Sequence, residues 1–333
     1  MHKQMNPNFA LKTSNHCPHG PHFLTLAILF FGLNLGMTLL ASENVPHRPF
    51  GQWADVPERG QLIFGLVYQE SEAYRIWAGH EFHDITVKSG GEKYGIDINQ
   101  GYVALQYGIT EKWAADLNVG ATTLGWRAFV TNRSVRATTG LMDLSLGVRY
   151  QVFNETNADL PWLPMLTFRA GAVLPGSYSQ QIAFAPGVRS AGIEPELILR
   201  RHFGWPGLGG YADGLYRWNR TTGNDQYIVS VGLFQQIKGW ELDAGYRHLQ
   251  TISGGGISFD PSNPGGLVYP RDTRETNDAI DAGFSYTTFK HRIRYAFESR
   301  TVFDGSNTDR KFWVGASIDI PFDTWFSEKR RAD

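Results

Sequence analysis

Between Leu141 and Phe153 alternate residues fall into two sets. Leu144, Leu146, Val148, Tyr150 and Val152 form one, and Asp143, Ser145, Gly147, Arg149 and Gln151 form the other. A β-strand points successive side chains to opposite faces, so the stretch predicts a strand with one apolar and one polar side. The pattern recurs along the chain. Gln61–Tyr74, Asp97–Tyr107 and Trp113–Ala121 precede it. The segments around Leu166–Ala172, Ile193–Phe203, Gly210–Trp218, Tyr227–Leu233, Trp240–Gln250, Ile280–Tyr286, Ile293–Phe297 and Phe312–Phe322 follow it. These make about twelve segments of the roughly 9–11 residues expected of tilted membrane strands.

The connections predict an orientation. Tight ones are expected after the even-numbered segments, as at Gly108–Lys112, Gly204–Gly207, Ile237–Gly239 and Thr288–Lys290. Long ones are expected after the odd-numbered segments, the longest being Thr251–Asn277. That asymmetry belongs to an outer-membrane barrel, with short periplasmic turns and long extracellular loops. The expected fold is all-β: a closed antiparallel transmembrane β-barrel of about twelve strands in the bacterial outer membrane. Aromatics beside the tight turns, among them Trp113, Tyr150, Phe203, Trp240 and Phe289, fit an interfacial girdle. A soluble barrel or sandwich, with the apolar face as its core, shares the alternation but not the loop asymmetry.

With the apolar face on lipid, the other face lines the lumen. The residues expected there are Asp116, Asp143, Arg149, Arg169, Glu196, Arg200, Asp213, Arg217, Asp243, Arg247, Asp281, Arg294 and Glu298. Both signs are present in near balance, so charges are expected to pair across the interior and leave weak ion selectivity. The Gly- and Pro-rich stretch Thr251–Asn277 is the expected constriction or lid.

The front of the chain sharpens the location. Lys3 and Lys12 precede an apolar run from Phe23 to Leu40 and then Ala41 and Ser42, which describes a secretory signal peptide over 1–42, with a retained N-terminal anchor as the alternative. A lead-in over 43–60, a barrel over 61–322 and a polar extension over 323–333 complete the expected organisation. The single cysteine, Cys17, lies in the leader, so the exported chain holds neither a disulfide nor a thiolate metal site. A net charge of −1 over 333 residues argues against nucleic acid as a partner. Gly (37 residues) and aromatics (14%) are abundant, as barrels require.

Three motifs support a resemblance. Gly108-Ile109-Thr110-Glu111 follows an alternating strand; Gly140 to Tyr150 reads G-x-x-D-L-x-L-G-x-x-Y; and Ala172-Val173-Leu174-Pro175-Gly176 exits the next strand. They resemble the outer-membrane transporter family of the phenol meta-degradation pathway, over Gly101–Tyr246. The resemblance implies a barrel of about twelve strands that passes small hydrophobic or aromatic compounds. Such barrels usually stop at a terminal aromatic, whereas here the chain runs on past Phe322. Phe322 or Phe326 is the expected signal for the barrel-assembly machinery.

Candidate chemistry beyond a pore is sparse. His80-x-x-His83 with Glu81 and Asp84 lies in an expected loop and lacks the helical spacing of a metalloprotease. No G-x-S-x-G occurs, and Gly254-Gly255-Gly256 lacks the GK[ST] of a phosphate cradle. Neither a cofactor nor a metal is expected. Arg127, Arg133 and Arg136 are expected in one loop, where a solvated surface or contact with lipopolysaccharide phosphates both fit. The expected function is passive passage of small molecules, with membrane lipid and lipopolysaccharide as surroundings. A barrel hydrolase built from separate strands, or a structural or adhesive surface barrel, stays open as the alternative.

Overall fold

A computed structural model describes residues 47–48, 50–85, 87–89, 92–126, 136–155, 163–178, 187, 189–203, 206–220, 224–259, 267–268 and 273–323. The expected signal peptide, most of the loop holding Arg127 and Arg133, and the extension after Asp323 lie outside them.

Twelve long strands carry the fold. They are β1 (Gln61–Ala78), β2 (Ile96–Gly108), β3 (Trp113–Trp126), β4 (Leu144–Phe153), β5 (Met165–Leu174), β6 (Gly192–His202), β7 (Leu208–Asn219), β8 (Gln226–Ile237), β9 (Trp240–Thr251), β10 (Thr276–Thr287), β11 (Arg294–Ser306) and β12 (Asp309–Asp323). Each pairs antiparallel with its chain neighbours. The last pairs with the first, from Asp323 opposite Gln61 to Asp309 opposite Ile76, so no strand edge is left over. Closure is what lets a sheet stand in hydrocarbon, since every ladder N–H and C=O finds a partner inside the sheet.

Exposure alternates as the sequence pattern does. On β4, Leu146 and Val148 are exposed while Arg149 and Gln151 are buried; on β9, Leu242 faces out while Glu241 and Asp243 face in. Leu66, Val231, Leu233 and Ile280 each show more than half their surface. An apolar band of this extent is prohibitive in water and suited to lipid. At the short-turn end, Trp113 stacks on Tyr150 with ring centroids 4.6 Å apart, and Trp240 on Tyr286 at 4.8 Å. Phe203 and Phe289 stand exposed beside them. Both ends of the barrel sheet, Gln61 and Asp323, lie at this end, which is periplasmic in outer-membrane barrels.

The strands depart from the sequence reading in four places. The connection after β4 spans 154–164 and is not tight. After β11 the expected long loop is a two-residue turn, Asn307–Thr308, so β11 and β12 rise as a tall hairpin beside the 18-residue β1. Asn307 makes this turn with φ of 52°, a left-handed conformation that asparagine tolerates. The connection 220–225 after β7 is also short. Arg136, expected in a loop, begins a short strand, Arg136–Leu141, that pairs with the upper part of β3. Between that strand and β4 the pairing with β3 slips by one residue, since Ala121 faces Leu141 but Asn118 faces Ser145. The slip is a β-bulge at Met142–Asp143, and it takes Asp143 out of the ladder.

Candidate solute pathway

The inside of the barrel is filled unevenly. Ahead of β1, within the expected lead-in, Phe50–Glu58 crosses the bore near the short-turn end. Trp53 and Ala54 are almost fully buried. The Trp53 ring meets Tyr211 edge-on at 5.3 Å and Phe234 at 5.7 Å, and the Arg200 guanidinium lies 4.8 Å above it. Ala54 packs with Met165 and Ile198. Polar groups on the wall hold the backbone of this strap. Arg149 donates to the Trp53 carbonyl, Thr167 and Gln151 donate to the Ala54 carbonyl, and Arg200 binds Asp55 at 2.7 Å. On the opposite wall the Phe50 N–H donates to Glu298, while Arg300 donates to the Phe50 carbonyl and lies over its ring at 4.7 Å. An extended segment in a bore must satisfy its N–H and C=O groups, and the inward Arg, Gln, Thr and Glu of β4, β5 and β11 do so here.

Above the strap lies a cavity of about 410 Å³ with Phe50 and Gly51 in its lining. The wall around it is mixed, with Val119, Met142, Leu215 and Ile228 among more numerous polar groups. Gln69, Gln100, Tyr102 and Asn118 come from β1–β3, Arg169, Glu194 and Glu196 from β5 and β6, Asp213 and Arg217 from β7, and Arg247 and Arg300 from β9 and β11. Toward the outer end the interior turns apolar: Ile76, Ile85, Ile96, Ile98 and Leu124 cluster there with Trp313 packed against them.

Charges inside are matched at short range. Arg169 takes Asp116 through Nε at 3.0 Å and Nη2 at 2.7 Å, with Glu194 at 3.5 Å and Glu196 at 3.7 Å. Arg217 also binds Glu194. Arg300 takes both oxygens of Asp281 at 2.7 Å. Glu241 sits between Arg200 at 3.4 Å and Arg294 at 3.3 Å, and Arg294 lies 3.7 Å from Asp319. Local sequence makes room for the densest of these clusters. Gly147 and Gly171 face each other across β4 and β5, and a Cβ on either would come within 2.8 Å of the Arg169 guanidinium.

The thirteen residues expected at the lumen are found in different settings. Asp116, Arg149, Arg169, Glu196, Arg200, Asp243, Asp281, Arg294 and Glu298 are buried, Arg169 and Glu196 against the cavity, and the more exposed Asp213, Arg217 and Arg247 also line it. Asp143 has a second task. From its bulge it accepts hydrogen bonds from the Gly176 N–H at 2.8 Å, the Tyr178 hydroxyl at 2.9 Å and the Arg189 N–H at 3.3 Å, tying the segment after β5 to the barrel. Burial, with the Asp143 carboxylate beside it, pushes the Tyr178 hydroxyl well above its ordinary range. The strap residues Trp53, Ala54 and Asp55, together with Glu194, Glu241, Arg300 and Asp319, were not among the expected lumen set. Within the lead-in, two large aromatics three residues apart, Phe50 and Trp53, are the one available signal.

The described part of Thr251–Asn277 contributes no residue to the cavity lining. It is fastened at the outer rim by Asn307, whose Oδ1 accepts from the Ile257 N–H at 2.7 Å and the Gly79 N–H at 2.8 Å, and whose Nδ2 donates to the Arg274 carbonyl. His83 lies on a short strand, Glu81–Asp84, paired to the top of β1. Among the described residues no group of His, Cys, Asp and Glu is arranged to hold a metal.

Solved structures share this architecture. The chain is similar to the COG4313 outer membrane channel from Pseudomonas putida F1, with 14% identity, a TM-score of 0.61, and coverage of 81% of this chain and 98% of that one. The fold is that of an outer-membrane barrel. More distant in shape are the translocator domain of autotransporter NalP from Neisseria meningitidis (12% identity, TM-score 0.45, 81% of this chain and 91% of that one) and the Ralstonia pickettii toluene transporter TbuX (11%, 0.40, 80% and 90%). No protein-family model matches the sequence, and no curated protein does. The closed sheet, its apolar outer band and this likeness place the barrel in the bacterial outer membrane.

Proposed function

We propose that the protein is a passive outer-membrane channel for small solutes that carry a polar group, aromatic ones among them. The strap Phe50–Glu58 is its constriction. The observation that supports this most is the cavity of about 410 Å³ standing on the strap inside a closed barrel. With the charges matched in pairs, the path is narrow and only weakly selective between ions. The Gly- and Pro-rich outer loop keeps a secondary role, since Asn307 holds it at the rim. Residues 1–42 act as the export signal, and Phe322, exposed near the end of β12, serves as the assembly signal.

The hydrolase alternative needs a histidine beside a nucleophilic hydroxyl. The two histidines on the barrel strands have other partners: His248 contacts Asp278 and Tyr227, and His202 contacts Glu155, Gln236 and Phe234. The cavity on the strap favours the channel reading. Recording purified protein in planar bilayers, beside a variant lacking residues 50–58, tests it. Small steps in the full chain and larger ones in the variant are expected. Silence from both folded proteins would refute the channel.

A further inference from the structure

Arg247 differs from every other arginine on the inner wall. Arg169, Arg200, Arg217, Arg294 and Arg300 each have a carboxylate within 4 Å, and Arg149 is occupied by the Trp53 carbonyl and Gln106. Arg247 lines the cavity half-buried, and it makes no hydrogen bond and no ion pair among the described residues. A guanidinium drawn partly out of water and left unmatched is unfavourable unless something in the cavity satisfies it. In a wall where all the neighbouring cations are neutralised by the protein, a cation left open marks the place where the solute supplies the anion.

We propose, building on the channel reading, that Arg247 is the binding group for the single carboxylate of a small anionic solute in the luminal cavity. The flat fork of a guanidinium matches a carboxylate through two parallel N–H···O bonds. The surroundings set the charge the site accepts. Asp213 lies level with Arg247 across one strand, since both are paired to Ser230 of β8. Glu194 and Glu196 stand beyond it on β6, already shared with Arg169 and Arg217, so Asp213 is the main negative charge of that arc. A second negative charge on the solute would face this arc and be repelled, so a monocarboxylate suits the cavity better than a diacid. On the other side Arg300, neutralised by Asp281, sits two strands away and adjoins the Phe50 ring, so the solute meets an aromatic edge there. A volume of about 410 Å³ admits a single ring bearing a carboxylate.

The test uses full-length protein in detergent and in liposomes, with benzoate as probe and benzamide as its neutral isostere. Equilibrium binding is read by calorimetry, and flux by liposome uptake. Wild type is expected to bind benzoate at least tenfold more tightly than benzamide. Arg247→Gln is expected to lose at least tenfold in benzoate affinity, with Arg247→Lys in between. No salt partner is orphaned by the change to Gln, and heat-modifiable gel migration confirms folding. If Arg247→Gln does not fold, the Lys variant and the benzamide comparison decide. Equal affinity for the two probes, or full benzoate affinity in a folded Arg247→Gln, overturns the site. Failure of the channel itself looks different: benzoate binds and depends on Arg247, yet none crosses the liposome membrane.

Discussion

Trp53→Ala is the sharpest perturbation of the constriction. Trp53 is 1% exposed, held between Tyr211 and Phe234 and beneath the Arg200 guanidinium. Emptying such a position removes about 3–5 kcal/mol, a range that covers the lost transfer energy and the cavity left behind. The ring contacts and the cation over the ring fall within that figure. None of the barrel ladder bonds involves Trp53, so the loss falls on docking of the strap rather than on the closed sheet. Because each 1.4 kcal/mol is a tenfold change, the released strap should become on the order of 10²- to 10⁴-fold more populated relative to the docked one. Arg149, Thr167 and Arg200 still bind the neighbouring backbone and Asp55, so release is intermittent and not permanent. In planar bilayers the variant should flicker between the wild-type level and a larger one, while gel migration of the folded barrel stays unchanged. A folded Trp53→Ala that records as quietly as wild type would show that the strap does not control the pore.

Three further outcomes are expected. Val231→Arg, on the lipid face, should cost about 2–4 kcal/mol in a refolding titration, while Asn118→Arg, facing the cavity, should cost much less; equal costs would mean the two faces are exchanged. Arg169→Met leaves Asp116 and Glu194 facing each other without their shared cation and should lose about 3–5 kcal/mol, partly recovered in the double variant with Asp116→Asn; a neutral single variant would remove the pairing argument. Asp143→Ala removes three hydrogen bonds to the segment after β5 and should speed proteolysis within 175–191 with little change in barrel unfolding, since these bonds lie outside the ladder; unchanged cleavage would show that Asp143 does not fasten that segment.

The barrel was legible because its two governing constraints are local. Alternation at period two assigns the face of every side chain in a strand, and a membrane leaves closure as the one way to satisfy the ladder. Leu146, Val148 and Arg149 take their sides from that rule alone. The rule gives the side but not the partners. Ile96 and Ile98 share the parity of the buried Gln100 and Gln106, and only the closed sheet shows that they pack inside against Ile76 and Leu124. Strand ends were equally out of reach. Nothing local says that β11 and β12 continue to a turn at Asn307, since partner strands and not propensity decide how far a ladder runs.

Partnership inside the lumen was decided only by the tertiary structure. Sequence spacing marks Asp116, Arg169 and Glu196 as inward, but their meeting depends on register across β3 to β6 and on room left by Gly147 and Gly171. The strap is the extreme case. Trp53 has no periodic pattern around it, and its place was fixed by distant groups, Arg149, Thr167 and Arg200, more than ninety residues along the chain. The unmatched charge of Arg247 has the same origin. Six inward arginines look alike in sequence, and only the closed wall shows which of them makes no hydrogen bond or ion pair among the described residues.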